Sequence, residues 1–461
     1  MLRINSILLL LCVASGCTVG PRFKKPEPPM PADYASRSGA AKSTTVESSW
    51  WRKLNDNTLN QLIAQASQQN RDLAMASARL QEARALWKEA RFSFVPTVTA
   101  GSSYDNTLNG ATTQGARNGS RNSELYRTGF DTSWELDFFG RSRNYIKAAK
   151  ATSAAAEASL QDLLITLQAE LAVNYLELRG AQAQLAVARE NAVNQKDALG
   201  IAEAALKGGR GTQLDVARAN SLWNATQAQI PSYEENVARA IHRIAVLCGR
   251  NPSEMRSSLQ RAGKQPAVPS RVAVTAPAEL LRSRPDIRTA EHVLEAETAR
   301  VGIAVADLFP RVTFGGRLNL EGSTLASLGK HGAGAYSFGP NISWAFLDLV
   351  RVRQQIEAAS RRSEGALATY EQTVLLALEE TENALTSFNL ERQRLRLLEA
   401  SAASAKEAAT LARQRYQDGV ADFLTVLDAE RVALSAQNDI VLSRTRAAIA
   451  WVQIHKALGG G

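Results

Sequence analysis

The chain of 461 residues carries 54 Lys and Arg against 45 Asp and Glu, a net charge of +9, with only 6% aromatic residues. The basic residues alternate with Glu along helical stretches, so the excess reads as solvated helix faces; a nucleic-acid partner would need a basic cluster, and none is visible. Of the three cysteines, Cys12 and Cys17 lie in or at the end of a leader and Cys248 stands alone, which excludes a disulfide framework in the mature chain.

Residues 1–16 read as a bacterial export signal. Arg3 supplies the positive charge, Ile7 to Val13 the short apolar core, and Ala14, Ser15 and Gly16 the small residues before the cut. The apolar run is too short to span a membrane as a helix. Val13 to Cys17 resembles the lipobox of bacterial lipoproteins, which implies that Cys17 is acylated, with palmitate among its lipids, and becomes the new N-terminus; ordinary cleavage beside a chance cysteine is the plain alternative. Thr18 follows where that class uses aspartate for inner-membrane retention, so the expected destination is the outer membrane. Residues 17–56 form an extended, lipid-anchored segment, with five prolines between Pro21 and Pro31.

Residues 57–248 are read as a first structural repeat. A helix from Asn57 to Arg91 stops before Pro96, and Thr97 to Asp105 alternates as a strand. A polar loop, Asn106 to Asn122, leads to a second strand. Here Phe130, Thr132, Trp134, Leu136 and Phe138 share one side, and Asp131, Ser133, Glu135 and Asp137 the other. After Gly140 the period changes from two to three-and-four. No proline interrupts Arg141 to Leu206, which predicts a helix of about 66 residues, or roughly 100 Å. It breaks at Lys207 to Gly211, and a return helix runs from Gln213 to Leu247, with Pro231 as a kink.

Residues 249–277 hold four prolines and read as a surface linker; residues 278–458 then repeat the plan. Asp72, Leu80 and Pro96 recur 214 places later as Asp286, Leu294 and Pro310, while Trp134, Arg141 and Ile146 recur 210 places later as Trp344, Arg351 and Ile356. Arg311 to Glu321 and Tyr336 to Phe346 are the third and fourth strands. A long helix from Arg351 to Gln417 breaks at Asp418 and Gly419, and the last helix ends near Leu458.

The strand alternation alone fits a soluble sandwich as well as a membrane sheet. The export signal, the lipobox and the long polar loops at the end opposite the helices favour the membrane, where strands of about ten residues suffice. Those loops, Asn106 to Asn122 and Gly322 to Ala335, are then expected outside the cell. Four strands cannot close a barrel and open edges are not tolerated in lipid, so other copies of the chain must complete it. Pro340 removes a ladder donor and calls for a bulge or an unpaired position.

Pro277 to Glu291, containing Arg284-Pro285-Asp286-Ile287-Arg288, resembles the signature of the TolC-like outer-membrane factor family, its lipoprotein branch in particular. Trp134 to Arg143, Ala304 to Pro310 and Gly419 to Ala429 resemble it too, so the likeness covers nearly the whole mature chain. It implies a mixed α/β membrane protein with four transmembrane strands and long antiparallel coiled-coil helices per chain. Three copies would form a twelve-stranded barrel continued by a twelve-helix periplasmic tunnel. The implied partners are outer-membrane lipid, a periplasmic adaptor and a proton-driven inner-membrane pump. The implied function is passive exit of drugs or other small toxic compounds, hence antibiotic resistance. A protein-secretion duct and a non-conducting coiled-coil scaffold are the alternatives.

Two helix breaks carry the expected gate and docking tips. Thr212 and Asp422, 210 places apart, are placed to be N-caps beside Gly209 and Gly419, and the resemblance makes these tips the adaptor-docking points. In that family a tyrosine at the position of Tyr416 bonds an aspartate at that of Asp215 and holds the tip closed. Aspartates at the positions of Thr425 and Asp428 ring the pore. This chain keeps Tyr416, Asp215 and Asp428, but has Thr425 for the first ring aspartate and Ala421 for a latch arginine. The resemblance therefore implies a less tightly held closed state, with cation selectivity resting on Asp428. Read without it, Asp215 fits a capping box with Thr212, and Asp428 a helix-face pair with Arg431. No catalytic constellation, cofactor site or metal site is expected; His292 and Glu295 read as a solvated helix face.

Overall fold

The structure, a computed structural model, describes residues 18–36, 41–42, 48–108, 110, 122–269 and 272–460. Its principal elements are α1 (Asn57–Gln69), α2 (Arg71–Arg91), β1 (Thr97–Leu108), β2 (Asn122–Leu136), α3 (Arg141–Lys207) and α4 (Gln213–Leu247), followed by α5 (Pro285–Ala306), β3 (Arg311–Gly322), β4 (Gly334–Ser343), α6 (Leu349–Gln417) and α7 (Phe423–Ala457). Most of the loop between β1 and β2 lies outside the described residues, as does Cys17. None of the described helices is long and apolar enough to cross a membrane.

The expected helix from Asn57 to Arg91 is two helices. Asn70 is extended (φ −62°, ψ 135°); its Oδ1 accepts from the Leu73 amide at 3.0 Å and caps α2, while its Nδ2 donates to the Leu247 carbonyl at 2.9 Å. One buried amide thus breaks the first helix and satisfies the end of α4, a demand invisible to helical periodicity. Pro231 sits inside an uninterrupted α4. The fourth strand ends at Ser343, and Phe346–Asp348 is a 3-10 turn.

The chain divides into two compact units, each drawing on both sequence repeats. The first comprises residues 1–27, 79–157 and 289–370. Its centre is a four-stranded antiparallel sheet in the order β1-β2-β3-β4, so the two hairpins join through β2 and β3. The ladder between β3 and β4 is unbroken. Pro340 stands in register opposite Phe314, without the expected bulge or unpaired position, on the outer strand of the protomer's sheet. Asp137 carries the chain from β2 into α3: its carboxylate accepts from the amides of Ser142 at 3.2 Å and Arg143 at 3.0 Å. Two of the orphan donors at the helix start are thereby satisfied.

The second unit, residues 28–78, 158–288 and 371–461, is helical. Its stretch 249–269, expected to be a surface linker, is mostly exposed and is anchored at Met255 and Leu259, which are buried. Arg179 donates to the Arg261 carbonyl at 3.2 Å, and Gln182 to that of Leu259 at 2.7 Å. Arg179 also holds the Tyr175 hydroxyl, which donates to Asp56 at 2.6 Å; burial pushes this phenol up to about 12.

The signature motif builds a second buried network in this unit. Arg284 is 9% exposed. It reaches Asp286 through both carboxylate oxygens at 3.0 and 2.7 Å, Glu380 of α6 at 2.8 Å, and the Ala457 carbonyl ending α7 at 2.7 Å. Lys456 adds a bond of 2.9 Å to Glu380. Burial works to raise the Glu380 carboxyl, but Lys456 and Arg284 outweigh it and hold it below its ordinary range.

Near the C-terminus, Trp50 stacks on His455 with centroids 5.4 Å apart, and Trp451 meets the same imidazole edge-on at 4.4 Å. The Trp50 indole N–H donates to the Gly460 carbonyl at 3.1 Å. Burial, then the charge of Lys53, lowers the His455 pKa from 6.5 to about 3. The folded imidazole stays neutral where the unfolded one is protonated. Stability from this cluster is therefore complete above pH 6.5 and declines as pH falls toward 3, by about 1.4 kcal/mol per pH unit at most. The thermal midpoint followed by tryptophan fluorescence should fall between about pH 7 and about pH 4.5, and His455→Phe should flatten that slope. An equal slope in the variant would remove His455 as its source.

Candidate functional site

Two surfaces bear on function, one in each unit. In the first, the sheet separates two chemistries by register. The columns Val98–Thr132–Gly316–Phe338, Ala100–Phe130–Leu318–Tyr336 and Trp134–Phe314–Pro340 share one face. Most of its large apolar residues are exposed on the single chain, Phe338 at 61% and Ile342 at 67% among them. The opposite face carries Thr, Ser, Gly and Asn, with Arg127, Asp131, Glu135, Arg317 and Glu321 on the two central strands. A broad apolar face on an exported protein needs a nonaqueous neighbour. Trp134 and Trp344 sit at the same end of it and use their polar edges alike: each indole N–H donates at 3.0 Å to a backbone carbonyl, of Phe94 and Leu308 respectively. That amphipathic placement suits a membrane–water boundary.

In the second unit, the two helical hairpins end in the same device. Gly209 (φ 69°) and Gly419 (φ 75°) take left-handed conformations that stop α3 and α6. At the first, the Gly209 amide bonds the Leu206 carbonyl and the Arg210 amide that of Ala205; at the second, Gly419 bonds Tyr416 and Val420 bonds Arg415. These are Schellman closures, for which a Cβ at either glycine would be strained. Three residues beyond each glycine comes an N-cap. Thr212 accepts from the Asp215 amide at 3.2 Å, and the Asp215 carboxylate accepts from the Thr212 amide at 3.0 Å and hydroxyl at 2.7 Å. Asp422 accepts from the Thr425 amide at 2.9 Å and hydroxyl at 2.6 Å, bonds that hold its carboxyl below the usual range.

The four helices pack together behind these tips through Ala198 and Ala202 of α3, Ala219 of α4, Ala412 of α6, and Phe423, Val426 and Leu427 of α7. Tyr416 lies against this cluster, its ring 5.1 Å from that of Phe423. Among the described residues of the single chain, Asp215 bonds Thr212 rather than Tyr416, and Asp428 pairs with Arg431 at 2.7 Å. Both Asp215 contacts fall on Oδ2, and the Asp428 contact falls on Oδ1, so each carboxylate keeps an oxygen for another partner.

The buried contacts of Arg284, Asn70 and His455 were not foreseen. For Arg284 the motif held the residue and its near partner Asp286, but not Glu380 and the Ala457 carbonyl, which lie 96 and 173 residues away.

The family model described as outer membrane efflux protein matches residues 62–250 and 276–460. The chain belongs to that family, a family of channels rather than enzymes. Nodulation protein T of Rhizobium leguminosarum bv. trifolii is 30% identical over 450 residues, covering 96% of this chain and 93% of that protein. The toluene efflux pump outer membrane protein TtgI of Pseudomonas putida is 29% identical over 465 residues, covering 98% of this chain and 97% of that protein. Among solved structures, the outer-membrane channel OprN superposes with a TM-score of 0.91 at 40% identity, covering 96% of this chain and 99% of that one. The fold is that of these trimeric outer-membrane channels: three copies complete a twelve-stranded barrel and a twelve-helix tunnel. The chain is the outer-membrane channel of an efflux pump in a Gram-negative bacterium.

Proposed function

We propose that this channel is the exit duct of a tripartite pump for drugs, solvents or other small toxic compounds, docked through its tips to a periplasmic adaptor and driven by a proton-coupled inner-membrane transporter. The observation that carries this reading is the pair of capped hairpin tips at Gly209 and Gly419 on a chain that also bears a four-stranded membrane sheet. Full-length likeness to a toluene pump component supports the substrate class. A deletion strain should become more susceptible to solvents and apolar drugs, with resistance restored by the intact gene. Unchanged susceptibility across such a panel would remove the proposed cargo.

Asp215, Tyr416 and Asp428 are the gate in this reading, with Gly209, Thr212, Gly419 and Asp422 shaping the docking tips. The free oxygen of Asp215 and the placement of Tyr416 beside Phe423 support a latch made between neighbouring helices of the trimer. A hydroxyl–carboxylate bond contributes about 1.5–3 kcal/mol before solvent discounting. Tyr416→Phe should therefore raise single-channel conductance and admit large antibiotics while trimers still form. Unchanged conductance in assembled trimers would return Asp215 to its cap alone.

Cys17 is the acylated residue in the same proposal. Supporting it, the chain just beyond is held at the strand–helix junction. The Val19 amide donates to the Phe139 carbonyl at 3.1 Å, Asn144 donates to the Val19 carbonyl at 3.2 Å, and Gly20 packs against the backbone of Gly302. Labelled palmitate should enter the native protein and not Cys17→Ser, and labelling of the variant would exclude this site. The barrel should insert in both cases, because its strands bury far more apolar surface than an acyl anchor.

A further inference from the structure

The polar face of the sheet distributes charge in a definite way. On the described strands, β4 has no charged residue on this face and β1 has only Asp105; the remaining charges lie on β2 and β3. There they meet in opposite pairs. Arg127 is opposite Glu321 in the ladder and bonds it at 2.9 Å; Asp131 is opposite Arg317 and bonds it at 2.8 Å. At the end of the strands, Glu135 lies 3.7 Å from Arg141 and 3.9 Å from Arg311, and both arginines reach Asp307, at 3.3 and 3.1 Å. Each of these three levels sums to zero: one of each sign at the first two, two of each at the third.

Stability is a weak explanation for this seam. The side chains of Asp131 and Arg317 are 52% and 49% exposed, and those of Arg127 and Glu321 about a third exposed. Pairs this open to water add little to stability. Their electrical effect is larger. With the apolar face toward lipid, this face lines the water-filled duct, whose low-dielectric wall focuses any unbalanced field. Threefold symmetry repeats each level, so one unpaired residue becomes a ring of three like charges.

We propose that the β2–β3 seam governs the charge selectivity of the barrel, cancelling charge at its own three levels and leaving Asp105 of β1 as the unbalanced charge on the described strands, with Asp131 and Arg317 the determining pair. A duct built this way keeps a cationic preference only at the level of Asp105, and leaves further discrimination by charge to other parts of the channel. Removing either partner exposes a ring of the other sign.

The test is the reversal potential of the intact trimer in a planar bilayer under a potassium chloride gradient. Arg317→Gln should move the cation-to-anion permeability ratio toward cations and Asp131→Asn toward anions, each by about two- to threefold. The swapped pair, Asp131→Arg with Arg317→Asp, should return it to the native value. No shift, shifts of the same sign, or failure of the swap to restore the native ratio would overturn the proposal. Failure of the single variants to assemble would overturn it too, by showing that the pair is structural. Conductance of the native trimer in the same membrane separates this inference from the assignment as a channel.

Discussion

Everything in this protein follows from a sheet that one chain cannot finish. Strands β1 and β4 each leave a row of backbone donors and acceptors unpaired, while the face they share is apolar. In hydrocarbon an unpaired backbone group costs several kcal/mol, so the edges must find other strands before the apolar face can enter lipid. Adding copies of the same sheet solves both problems: edges pair, and the exposed Phe130, Leu318, Phe338 and Ile342 acquire an apolar solvent. The polar face is then left inside. Which side becomes a water-filled passage is decided by strand parity alone.

The helical unit has the opposite difficulty. Its helices are long and alanine-rich, and alanine offers little side-chain volume to specify the register in which helices should meet. Arg284 supplies that specification. A buried guanidinium with acceptors from Asp286, Glu380 and the Ala457 carbonyl ties the start of α5, the middle of α6 and the end of α7 to one point. Buried ion pairs add little net stability over apolar packing, yet removing one partner strands a charge at a cost of about 3–5 kcal/mol. Such a site fixes register more than it adds to stability. The proline at position 285 contributes by its missing N–H, which is an orphan donor at a helix start in any case.

Periodicity made the large elements legible because they obey one period over many residues. The change from period two to three-and-four after Gly140 located α3, whose described bounds differ from the expectation by one residue at its end. The glycine breaks located both tips for the same reason: a left-handed residue between two helical runs has few substitutes. What sequence did not show was chosen by distant partners. Asn70 breaks a periodic helix because its amide serves a carbonyl 177 residues away. Residues 249–269 read as surface from their prolines and are mostly exposed, but their anchoring by Gln182 and Arg179 at the Leu259 and Arg261 carbonyls was not visible along the chain. Pro340 called for a break in the ladder, yet the register runs through it on the outer strand of the protomer's sheet.

The two tips show how one backbone plan accommodates two chemistries. α4 begins Thr212-x-x-Asp215 and α7 begins Asp422-x-x-Thr425, so hydroxyl and carboxylate have exchanged places. Each arrangement satisfies first-turn amides and puts one carboxylate at the positive end of a helix. The exchange changes what is left over. At the first tip the carboxylate keeps Oδ1 free of the cap and remains able to accept a bond from another helix. At the second, the Thr425 hydroxyl is spent on Asp422, and both of its bonds to that carboxylate fall on Oδ1. Negative charge near the second tip is therefore carried by Asp418 at the helix break, by Asp422 at the cap and, nearly two turns further on, by Asp428, which pairs with Arg431. The cap holds Asp422 in its ionised form to lower pH than an ordinary carboxylate, so its contribution to the local field persists on acidification. With threonine at position 425 the first turn of α7 carries no acidic side chain, and the tip stays acidic through its cap.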